Sequence, residues 1–409
     1  MARPIDACRA CGNHDLIPVL DLGEQAYTGI FPRTREEMVP SSPLTLVKCH
    51  GTHACGLLQL QHTCDPNAMY GAGYGYRSGI NPSMVRHLRS KVQRILSRVD
   101  VPERSIVLDI GSNDGTTLAA YPPGKFRTVG IDPTASKFLK YYPSGVEVVA
   151  KFFSASSYRA VFGDERAHVI TSFAMFYDLE HPLDFMHDIH SVLSEQGVWV
   201  FEQSYLPLML ERNAYDTVCH EHAEYYSLSQ IHWMAARTGF KIVDVEFNDI
   251  NGGSFSVTAV KAESSYPESA RLAQMLERER ALGLDGLEAY ATFARRVADS
   301  RQQLRDFIER ARGSGKSVAA LGASTKGNVL LQYCGLTSRD VIAIGEVNPE
   351  KLGSFTPGSL IPIKAENDLI AQAPDYLVVL PWHFRETFLE KSLRSPTRMV
   401  FPLPALEVA

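Results

Sequence analysis

The strongest constraint on the fold is an apolar segment that runs directly into a glycine-containing loop, RSIVLDIGSNDGTTLAAY, at residues 104–121. The apolar stretch Ile106–Ile110 predicts a buried strand. Gly111 and Gly115 allow the backbone of the loop to come close to a ligand, and a helix is expected from near Thr116. Further apolar strands and helical stretches alternate along the chain, a pattern typical of a doubly wound parallel sheet.

The residues around this loop predict the kind of ligand that the first sheet binds. The next strand, RTVGIDPT, carries Asp132 at its tip, placed to accept hydrogen bonds from two ribose hydroxyls. The loop lacks the G-x-G-x-x-G pattern of dinucleotide sites, and Asn113 and Asp114 would crowd or repel a pyrophosphate. Both suit the sulfonium and amino-acid end of S-adenosylmethionine (SAM), and the order of strand, acidic residue and loop resembles the common methyltransferase arrangement. A Rossmann dehydrogenase is the alternative, which the missing glycine disfavours.

Two further strands complete the expected cofactor pocket. HVITSFAMFYDLEHP, residues 168–182, predicts the third strand, and GVWVFEQSY, residues 197–205, predicts the next. We expect the third strand to supply a wall of the adenine and methionine pocket. The predicted cofactor-binding residues of this sheet are Asp109, Gly111, Asn113, Asp114, Asp132 and Phe173.

Four cysteines near the N-terminus predict a structural zinc site. CRACG places Cys8 and Cys11 three positions apart, the spacing with which a knuckle turns two thiolates toward one ion. KCHGTHACG repeats the cysteine and glycine pair at Cys55. The candidates for the remaining ligand are Cys49, His50 and His53. We favour Cys49, because thiolate sites prefer sulfur and the set would then be a closed, all-cysteine site with no position for substrate; free buried cysteines are the alternative.

The C-terminal part of the chain predicts a second sheet of similar design. Residues 268–312 are rich in Leu, Ala, Glu and Arg with helical periodicity, so long helices should bridge two domains. GSGKS, residues 313–317, is not a P-loop, because the first glycine of that motif would fall on Arg310. After the predicted strand Val318–Leu321, GASTKGN at residues 322–328 offers amides, hydroxyls and one cation at a helix N-terminus, which is an anion-binding arrangement.

Two later strands add candidate nucleotide contacts. VIAIGEVNPEKLG carries Glu346 where a ribose-binding acid would lie, and DYLVVLPWHF ends in Trp382, His383 and Phe384, which could stack on a base. Together these segments favour a nucleoside diphosphate, and a purely structural domain is the alternative. The predicted substrate residues of this sheet are Ser324, Thr325, Lys326, Asn328, Glu346 and Trp382.

Composition narrows the possible partners. The chain of 409 residues is 45% hydrophobic with a net charge of −5. The basic residues are spread along it, so a small-molecule substrate is favoured over nucleic acid or a membrane. No apolar h-region begins the chain and no apolar run approaches the roughly 18 residues that span a bilayer, so a cytoplasmic protein is expected. Seven cysteines, an odd number, fit reduced thiols better than disulfides.

The segment DTVCHEHAEYYSL, residues 216–228, concentrates titratable side chains. It is not the H-E-x-x-H motif of metalloproteases, because the residue four positions after His220 is Glu224. A proton-transfer site is favoured. The alternatives are a merely polar loop and a second metal bound by His220, His222 and Glu224.

The order of these segments resembles a known family. A zinc knuckle, a methyltransferase sheet, CHEHAEYYSL, NGGSFSV, GASTKGN and LPWHF are similar to the series found in zinc-containing, SAM-dependent sugar C-methyltransferases of deoxysugar and antibiotic biosynthesis. The resemblance spans nearly the whole chain and looks most like the enzymes that methylate C-3' of TDP-4-keto-deoxysugars.

This resemblance implies that the two large sheets bind different ligands and that the protein is a monomer. The first sheet would bind SAM, the C-terminal sheet would help to bind the nucleotide, and the sugar would lie between them. An aromatic segment, YGAGYGYRSGIN at residues 70–81, is expected to close over the cofactor, which makes Tyr76 and Ser78 cofactor neighbours.

By the same resemblance, His222 is the base that removes the C-3' proton, and Glu221 lies beside it in the sugar site. The resulting enolate would attack the methyl group of SAM. A tyrosine usually precedes the H-E-H triplet in this family, and Cys219 stands there in this chain, a smaller and weaker donor. His222 therefore acts alone or with help from a neighbour in the catalytic or substrate site: His220, Tyr225 or Tyr226. This departure leaves C-5 methylation of the same substrate class open.

We therefore predict an α/β chain of three parts. These are a small N-terminal zinc-binding domain at 1–75, a central Rossmann-like SAM methyltransferase domain at 76–295, and a C-terminal Rossmann-like nucleotide-binding domain at 296–409. A zinc-ribbon methyltransferase acting on tRNA or protein is a competing class, which the acidic net charge disfavours. A non-catalytic nucleotide-sugar-binding module is another, which the intact cofactor residues disfavour.

Overall fold

The structure, a computed structural model, describes residues 2–65, Met69, 75–390 and 397–409. Residues 70–74, the first part of the aromatic segment expected to close over the cofactor, lie outside the described residues. Within the described ranges the strands form four sheets, and none of the helices found there is long and apolar enough to cross a membrane.

The N-terminal part of the chain folds into small antiparallel sheets. Its strands are β1 Arg3–Pro4, β2 Leu16–Ala26, β3 Ser41–Cys49, β4 Leu58–Leu60 and β5 His62–Thr63. Strands β2, β3 and β4 pair in that order, and β1 pairs with β5. Leu44 and Leu46, two positions apart on β3, are both fully buried. This period of two is that of a sheet with one face in the core.

A seven-stranded sheet forms the centre of the molecule. The next eight strands of the chain are β6 Ile106–Ile110, β7 Arg127–Ile131, β8 Glu147–Val149, β9 Ala167–Phe173, β10 Leu193–Ser204, β11 Glu224–Tyr225, β12 Phe240–Asn248 and β13 Ser254–Lys261. All but β11 join this sheet, in the order β12-β13-β10-β9-β6-β7-β8. The five adjacent strands β10, β9, β6, β7 and β8 run parallel to one another. Strand β13 is antiparallel to both of its neighbours, β12 and β10. The predicted strands of the first sheet are confirmed, and every residue of β6 is buried, as in sheets covered on both faces.

Helices connect these strands. They are α1 Pro82–Arg98, α2 Ala135–Phe138, α3 Ala155–Phe162, α4 Pro182–Val192, α5 Leu206–Glu211 and α6 Leu228–Arg237. The helix expected from near Thr116 is wrong, since a single 3₁₀ turn, Leu118–Ala120, occupies that stretch. Pro122 follows, and Tyr121 before it is extended with ψ of 147°. The residue before a proline disfavours the helical region, so the turn cannot continue into a helix.

The C-terminal part contains the second parallel sheet. The long helices α7 Leu272–Ala281 and α8 Glu288–Gly313 lead into it. Its elements are β14 Val318–Leu321, α9 Thr325–Tyr333, β15 Ile344–Glu346, β16 Ile363–Ala365, α10 Glu366–Ala371, β17 Tyr376–Val379, α11 Arg385–Leu389, β18 Arg398–Phe401 and β19 Glu407–Val408. The strand order is β16-β15-β14-β17-β18-β19, and only β19 is antiparallel to its neighbour among these described strands.

Strand β11 joins the central part of the chain to the N-terminal sheet. It pairs antiparallel with β4, so that Glu224 faces Gln59 and Tyr225 faces Leu58. The backbone N–H of Leu60 also donates to the carbonyl of residue 223 over 2.8 Å. The H-E-H triplet at residues 220–222 therefore directly precedes an edge strand of the N-terminal sheet.

Candidate active site and metal centre

Four cysteine thiols converge in the N-terminal part, as predicted. The Sγ atoms of Cys8 and Cys55 are 3.6 Å apart, and those of Cys11 and Cys49 are 3.5 Å apart. All four sulfurs lie within 4.8 Å of one another. A tetrahedral zinc with Zn–S bonds of about 2.3 Å would hold its sulfurs just under about 4 Å apart, so this cluster fits the ion.

Cys49, the favoured fourth ligand, completes this cluster, and His50 and His53 are not part of it. Gly12 and Gly56 follow two of the ligands and adopt φ of 71° and 75°, which only glycine does without strain. Such a closed set of four thiolates makes the zinc structural. Across the described ranges, no other group of three possible ligands converges in this way.

A cavity opens where β6, β7 and β9 reach their carboxyl ends. Met84 and Leu88 of α1 add apolar wall to it. Seven of the eight predicted cofactor residues line it: Tyr76, Ser78, Asp109, Gly111, Asn113, Asp132 and Phe173. A crevice at the carboxyl ends of parallel strands is where such sheets bind their cofactors, so the cavity fits SAM.

Asp132 fixes the shape of the glycine loop as well as lining the cavity. One carboxylate oxygen accepts the backbone N–H of Asn113 over 2.8 Å. The other accepts the N–H and the hydroxyl of Thr134, each over 2.6 Å. A carboxylate accepts about four hydrogen bonds, so capacity for a ribose hydroxyl remains.

Asp114 lies behind the loop and does not line the cavity. Its Oδ2 accepts the backbone N–H of Gly79 over 2.9 Å. Its neighbour Asn113 accepts the N–H of Ser78 over 3.0 Å and donates to the carbonyl of Tyr76 over 3.1 Å. The loop thus holds the described end of the aromatic segment against the cavity, which Tyr76 and Ser78 line.

Asp109 is the buried acid of the cofactor cavity. Its carboxylate accepts the hydroxyl of Thr171 over 2.5 Å. Burial raises the pKa of Asp109 to about 7, because a low-dielectric surrounding disfavours the charged form.

His220, the first residue of the H-E-H triplet, faces the N-terminal sheet. Its Nε2 lies 3.1 Å from the carbonyl of Ser42, and its ring packs against Tyr27 at 4.7 Å between centroids. Burial lowers the pKa of His220 to about 4. These contacts place His220 in a structural position, and among the described residues His220, His222 and Glu224 do not converge as a possible metal site.

His222 is partly exposed and anchored through one nitrogen. Its Nδ1 lies 2.7 Å from the carbonyl oxygen of Thr217. Its ring also packs edge-on against Tyr177 at 4.4 Å between centroids, and the next residue, Asp178, lines the cofactor cavity. Burial, with a smaller contribution from the charge of Lys326, lowers the pKa of His222 to about 3.

Glu221, the middle residue of the triplet, and Cys219, the residue before it, take different positions. Glu221 is partly exposed, and its Oε2 accepts the hydroxyl of Thr28 over 3.4 Å. Burial raises the pKa of Glu221. Cys219 is 0% exposed and packs in the apolar core, and burial raises the pKa of its thiol. The thiol of Cys219 is therefore not open to a ligand.

Tyr225 and Tyr226 are buried rather than open to a ligand. The hydroxyl of Tyr226 donates to Glu224 over 2.7 Å, and its ring stacks on Phe176 at 5.4 Å between centroids. The hydroxyl of Tyr225 donates to the carbonyl of Thr217 over 3.4 Å, the same carbonyl that anchors His222. Both tyrosines thus hold the segment in place.

The GASTKGN loop begins helix α9 as expected. The Ser324 hydroxyl caps the helix by accepting the N–H of Gly327 over 3.0 Å. Lys326 donates to the carbonyl of Asn251 over 2.7 Å, and Asn328 donates to the carbonyl of Thr28 over 2.7 Å. The partly exposed Thr325 lies at the first turn.

Glu346 organises this loop from the neighbouring strand. Its carboxylate accepts the backbone N–H groups of Ala323, Val347 and Asn348 over 2.8 to 2.9 Å. Lys351, which no motif had singled out, donates to the carbonyl of Ala323 over 2.7 Å. Burial lowers the pKa of Lys351, as it does that of Lys326.

Trp382 joins the C-terminal sheet to the H-E-H segment. It is 6% exposed, and its indole N–H donates to Asp216 over 2.8 Å. Asp216 is 1% exposed, and burial raises its pKa. The adjacent His383 is partly exposed. The indole N–H is therefore occupied by a hydrogen bond between the C-terminal sheet and the H-E-H segment. No sequence motif indicates that Asp216 is its partner.

Three family models match separate stretches of the chain. They are described as "Putative zinc binding domain" for residues 8–70, "Methyltransferase domain" for residues 83–245 and "C-methyltransferase C-terminal domain" for residues 249–404. A relative, the C-methyltransferase NovU of Streptomyces niveus, is 28% identical over 415 residues, covering 99% of this chain and 97% of NovU.

Solved methyltransferases are similar to part of the chain. A SAM dependent methyltransferase from Aquifex aeolicus is 19% identical, with a TM-score of 0.32 over 44% of this chain and 97% of its own. The 1,6-didemethyltoxoflavin-N1-methyltransferase of Burkholderia thailandensis is 14% identical, with a TM-score of 0.33 over 44% of this chain and 78% of its own. At these TM-scores the fold assignment rests on the strand order and the family models.

The matched stretches follow one another along the chain in the order of its sheets, with the cysteine cluster inside the first and most of the cavity lining inside the second. The chain is an S-adenosylmethionine-dependent C-methyltransferase that combines an N-terminal zinc-binding domain, a methyltransferase domain and a C-methyltransferase C-terminal domain.

Proposed function

We propose that this enzyme methylates a nucleotide-linked 4-keto-6-deoxysugar, a TDP-sugar, at C-3', with His222 as the base. The position of His222 carries the proposal. It lies against Tyr177, one residue from the cofactor cavity wall, and is near enough to Lys326 of the GASTKGN loop for that charge to shift its pKa.

The protonation of His222 suits a base. The carbonyl of Thr217 can only accept a hydrogen bond, so Nδ1 of the neutral ring must carry the hydrogen. The lone pair is then on Nε2. With its pKa lowered to about 3, the ring is neutral at the pH of a cell and able to accept a proton.

The cofactor residues are arranged to hold the methyl donor. When bound, SAM supplies an electrophilic methyl group. Asp132 offers its remaining acceptor capacity to the ribose, and Asp109 and Phe173 line the same cavity. The hydrogen next to a ketone is acidic enough to be removed only where a base and the carbonyl are positioned together. The acceptor carbon must therefore lie between Nε2 of His222 and this cavity.

Two lysines favour a diphosphate in the acceptor. Among the described residues, neither Lys326 nor Lys351 has a carboxylate oxygen within 4.0 Å, yet burial lowers the pKa of both. Lys326, in the first turn of helix α9, donates to the carbonyl of Asn251, and Lys351 donates to the carbonyl of Ala323 in the loop before this helix. Two partly buried cations beside a helix N-terminus match the charge of a nucleoside diphosphate.

C-5 methylation of the same sugar class is the second candidate. The hydrogens on both carbons next to the 4-keto group are acidic for the same reason. The buried position of Cys219 favours neither carbon.

The test is turnover with TDP-4-keto-6-deoxyhexose and its 2,6-dideoxy analogue, with the methylated carbon assigned by NMR. We expect one new methyl group at C-3'. A methyl group at C-5 would keep the substrate class and change the position. Absence of methylation with either sugar, at SAM concentrations that saturate the enzyme, would contradict the proposal. The same sugars without the nucleotide are the control and should react far more slowly.

A further inference from the structure

A segment of the zinc-binding domain, residues 26–35, crosses from the end of β2 onto the C-terminal domain; we call it the strap. Its first residue exchanges two hydrogen bonds with helix α9: the N–H of Ala26 donates to Gln332 over 2.8 Å, and Gln332 donates back to the carbonyl of Ala26 over 3.1 Å. The carbonyl of Thr28 accepts from Asn328 on the same helix over 2.7 Å. The start of the strap is therefore fixed to the helix that begins at the GASTKGN loop.

The far end of the strap reaches the second candidate phosphate cation. The ammonium of Lys351 lies 4.5 Å above the ring of Phe31, and the carbonyl of Pro32 accepts the N–H of Phe355 over 2.9 Å. Arg33 donates to the carbonyl of Glu350 over 2.6 Å. The strap thus runs along the side of the proposed nucleotide site from the start of helix α9 to Lys351.

Between these two ends the strap touches Glu221 of the H-E-H triplet. The hydroxyl of Thr28 donates to Oε2 of Glu221 over 3.4 Å. A Cβ atom built on Gly29 would lie 2.5 Å from Oε1 of Glu221 and 3.9 Å from the hydroxyl oxygen of Thr325. Both carboxylate oxygens of Glu221 therefore lie against the strap, and only glycine leaves room for one of them.

We propose that the strap is a wall of the acceptor site, in which Thr28 and Gly29 are positioning residues that set the Glu221 carboxylate beside the sugar. The inference rests on the proposed function, since it assumes that the acceptor is a nucleotide-linked sugar. It assigns the zinc-binding domain a part in acceptor recognition in addition to holding the metal. The cofactor cavity has no lining residue from the strap, so SAM binding should not depend on it.

The hydroxyl of Thr28 is tested with Thr28→Val, which keeps the shape and removes the donor, and Thr28→Ser, which keeps the donor. Loss of one hydrogen bond to a charged group should raise the KM for the TDP-sugar about tenfold, leave the Kd for SAM unchanged, and be restored by serine. Thr45→Val is the matched control. It removes a hydroxyl that donates to another carboxylate of the same domain, Asp21, over 3.2 Å, and should turn over like the wild type.

The space at Gly29 is tested with Gly29→Ala. The added methyl group must displace the end of the Glu221 side chain, and misplacement of a site residue by about 1 Å can cost roughly 100-fold in kcat/KM. Gly313→Ala is the control, because a Cβ there meets nothing within 4 Å. Melting temperatures of all five variants are measured beside the kinetics.

Wild-type turnover separates the two proposals. If the wild type methylates a TDP-sugar and the strap variants show acceptor-specific losses that Thr28→Ser repairs, the strap proposal is supported. If the wild type turns over but Thr28→Val and Gly29→Ala keep its KM and kcat, the strap proposal is overturned alone. A fall in SAM affinity and melting temperature equal to the loss of activity would also overturn it, since the strap would then be only a structural tie. If the wild type neither methylates a TDP-sugar nor binds TDP, the proposed function fails first.

Discussion

At the residue scale, the low pKa of His222 keeps the base unprotonated but makes it weak, and we expect acceptor binding to strengthen it. A base with a pKa of about 3 is always in its reactive form near neutrality, yet it holds a proton weakly. Lys326 is one of the two causes of this low pKa. A diphosphate paired with Lys326 would offset its charge, so acceptor binding should raise the pKa and strengthen the base when the substrate is in place.

The pH dependence of kcat/KM tests this electrostatic account. Only unprotonated His222 can accept a proton, so the rate falls as pH drops through its pKa in the free enzyme. Because that pKa lies below the usual value of about 6.5, the wild-type profile should show no fall at pH 6.5. Lys326→Gln removes one cause of the shift and should move the acid limb to higher pH. Lys364→Gln, an exposed change in the same domain, should not. A fall of the wild-type kcat/KM at pH 6.5 would contradict the account. So would a fall that occurs at the same pH in Lys326→Gln as in the wild type.

Residues in motifs with fixed spacing were predictable from the sequence. The four cysteines and seven of the cofactor residues come together because loop geometry ties sequence position to spatial position. Tyr226 and Trp382 were expected to face the substrate, and both are buried with partners from other parts of the chain. Thr28 and Lys351 stand in no motif, so only tertiary contacts reveal them.

At the scale of single elements, the zinc-binding sheet supports the catalytic segment. Strand β11 begins two residues after His222 and pairs with β4, while the cysteine cluster joins the start of the chain to the end of β3. Loss of zinc should therefore loosen the sheet on which the H-E-H segment is held.

Cys49→Ser tests this coupling. We expect loss of zinc by elemental analysis, a melting temperature lower by at least about 5 °C, and a parallel loss of methyl transfer. Cys64→Ser is the control, because Cys64 is buried in the same domain but stands outside the cluster. Retention of zinc in Cys49→Ser, or loss of zinc with wild-type turnover, would contradict the proposed support.

The loop before helix α9 is tested through its two cations. Lys326→Gln and Lys351→Gln should each weaken the binding of TDP about tenfold by calorimetry, because each removes a charge-assisted contact to phosphate. The Kd for SAM should stay the same in both. Lys364→Gln again serves as the control. TDP affinity equal to that of the wild type in both site variants would place the diphosphate elsewhere.

Most strands were predictable from apolar runs, whereas elements set by long-range pairing were not. The predicted strand Val318–Leu321 matches β14 at both ends. Strand β11 has only two residues, and its partner β4 is far away in the sequence, so no local pattern indicates it. The helix predicted from near Thr116 does not form, because a proline follows the single 3₁₀ turn observed there.

At the scale of the whole molecule, the zinc-binding domain contacts both larger parts. It pairs with β11 of the H-E-H segment and places the strap on helix α9. The long helix α8 leads to the second sheet and buries residues three or four positions apart, including Tyr290, Phe293 and Val297, as an amphipathic helix does. The candidate acceptor site is therefore built from all three parts. We propose that the divisions lie near residues 75 and 295.

The central claim is that His222 makes the acceptor carbon nucleophilic, and hydrogen exchange tests it most directly. The enzyme is incubated in deuterated water with TDP-4-keto-6-deoxyhexose and S-adenosylhomocysteine, and NMR follows deuterium at C-3'. The wild type and the control His187→Asn, an exposed change, should exchange this hydrogen. His222→Asn should exchange at least about 100-fold more slowly, while its Kd for SAM stays unchanged. Exchange by His222→Asn at the wild-type rate, or no exchange by a wild type that methylates this carbon, would contradict the account.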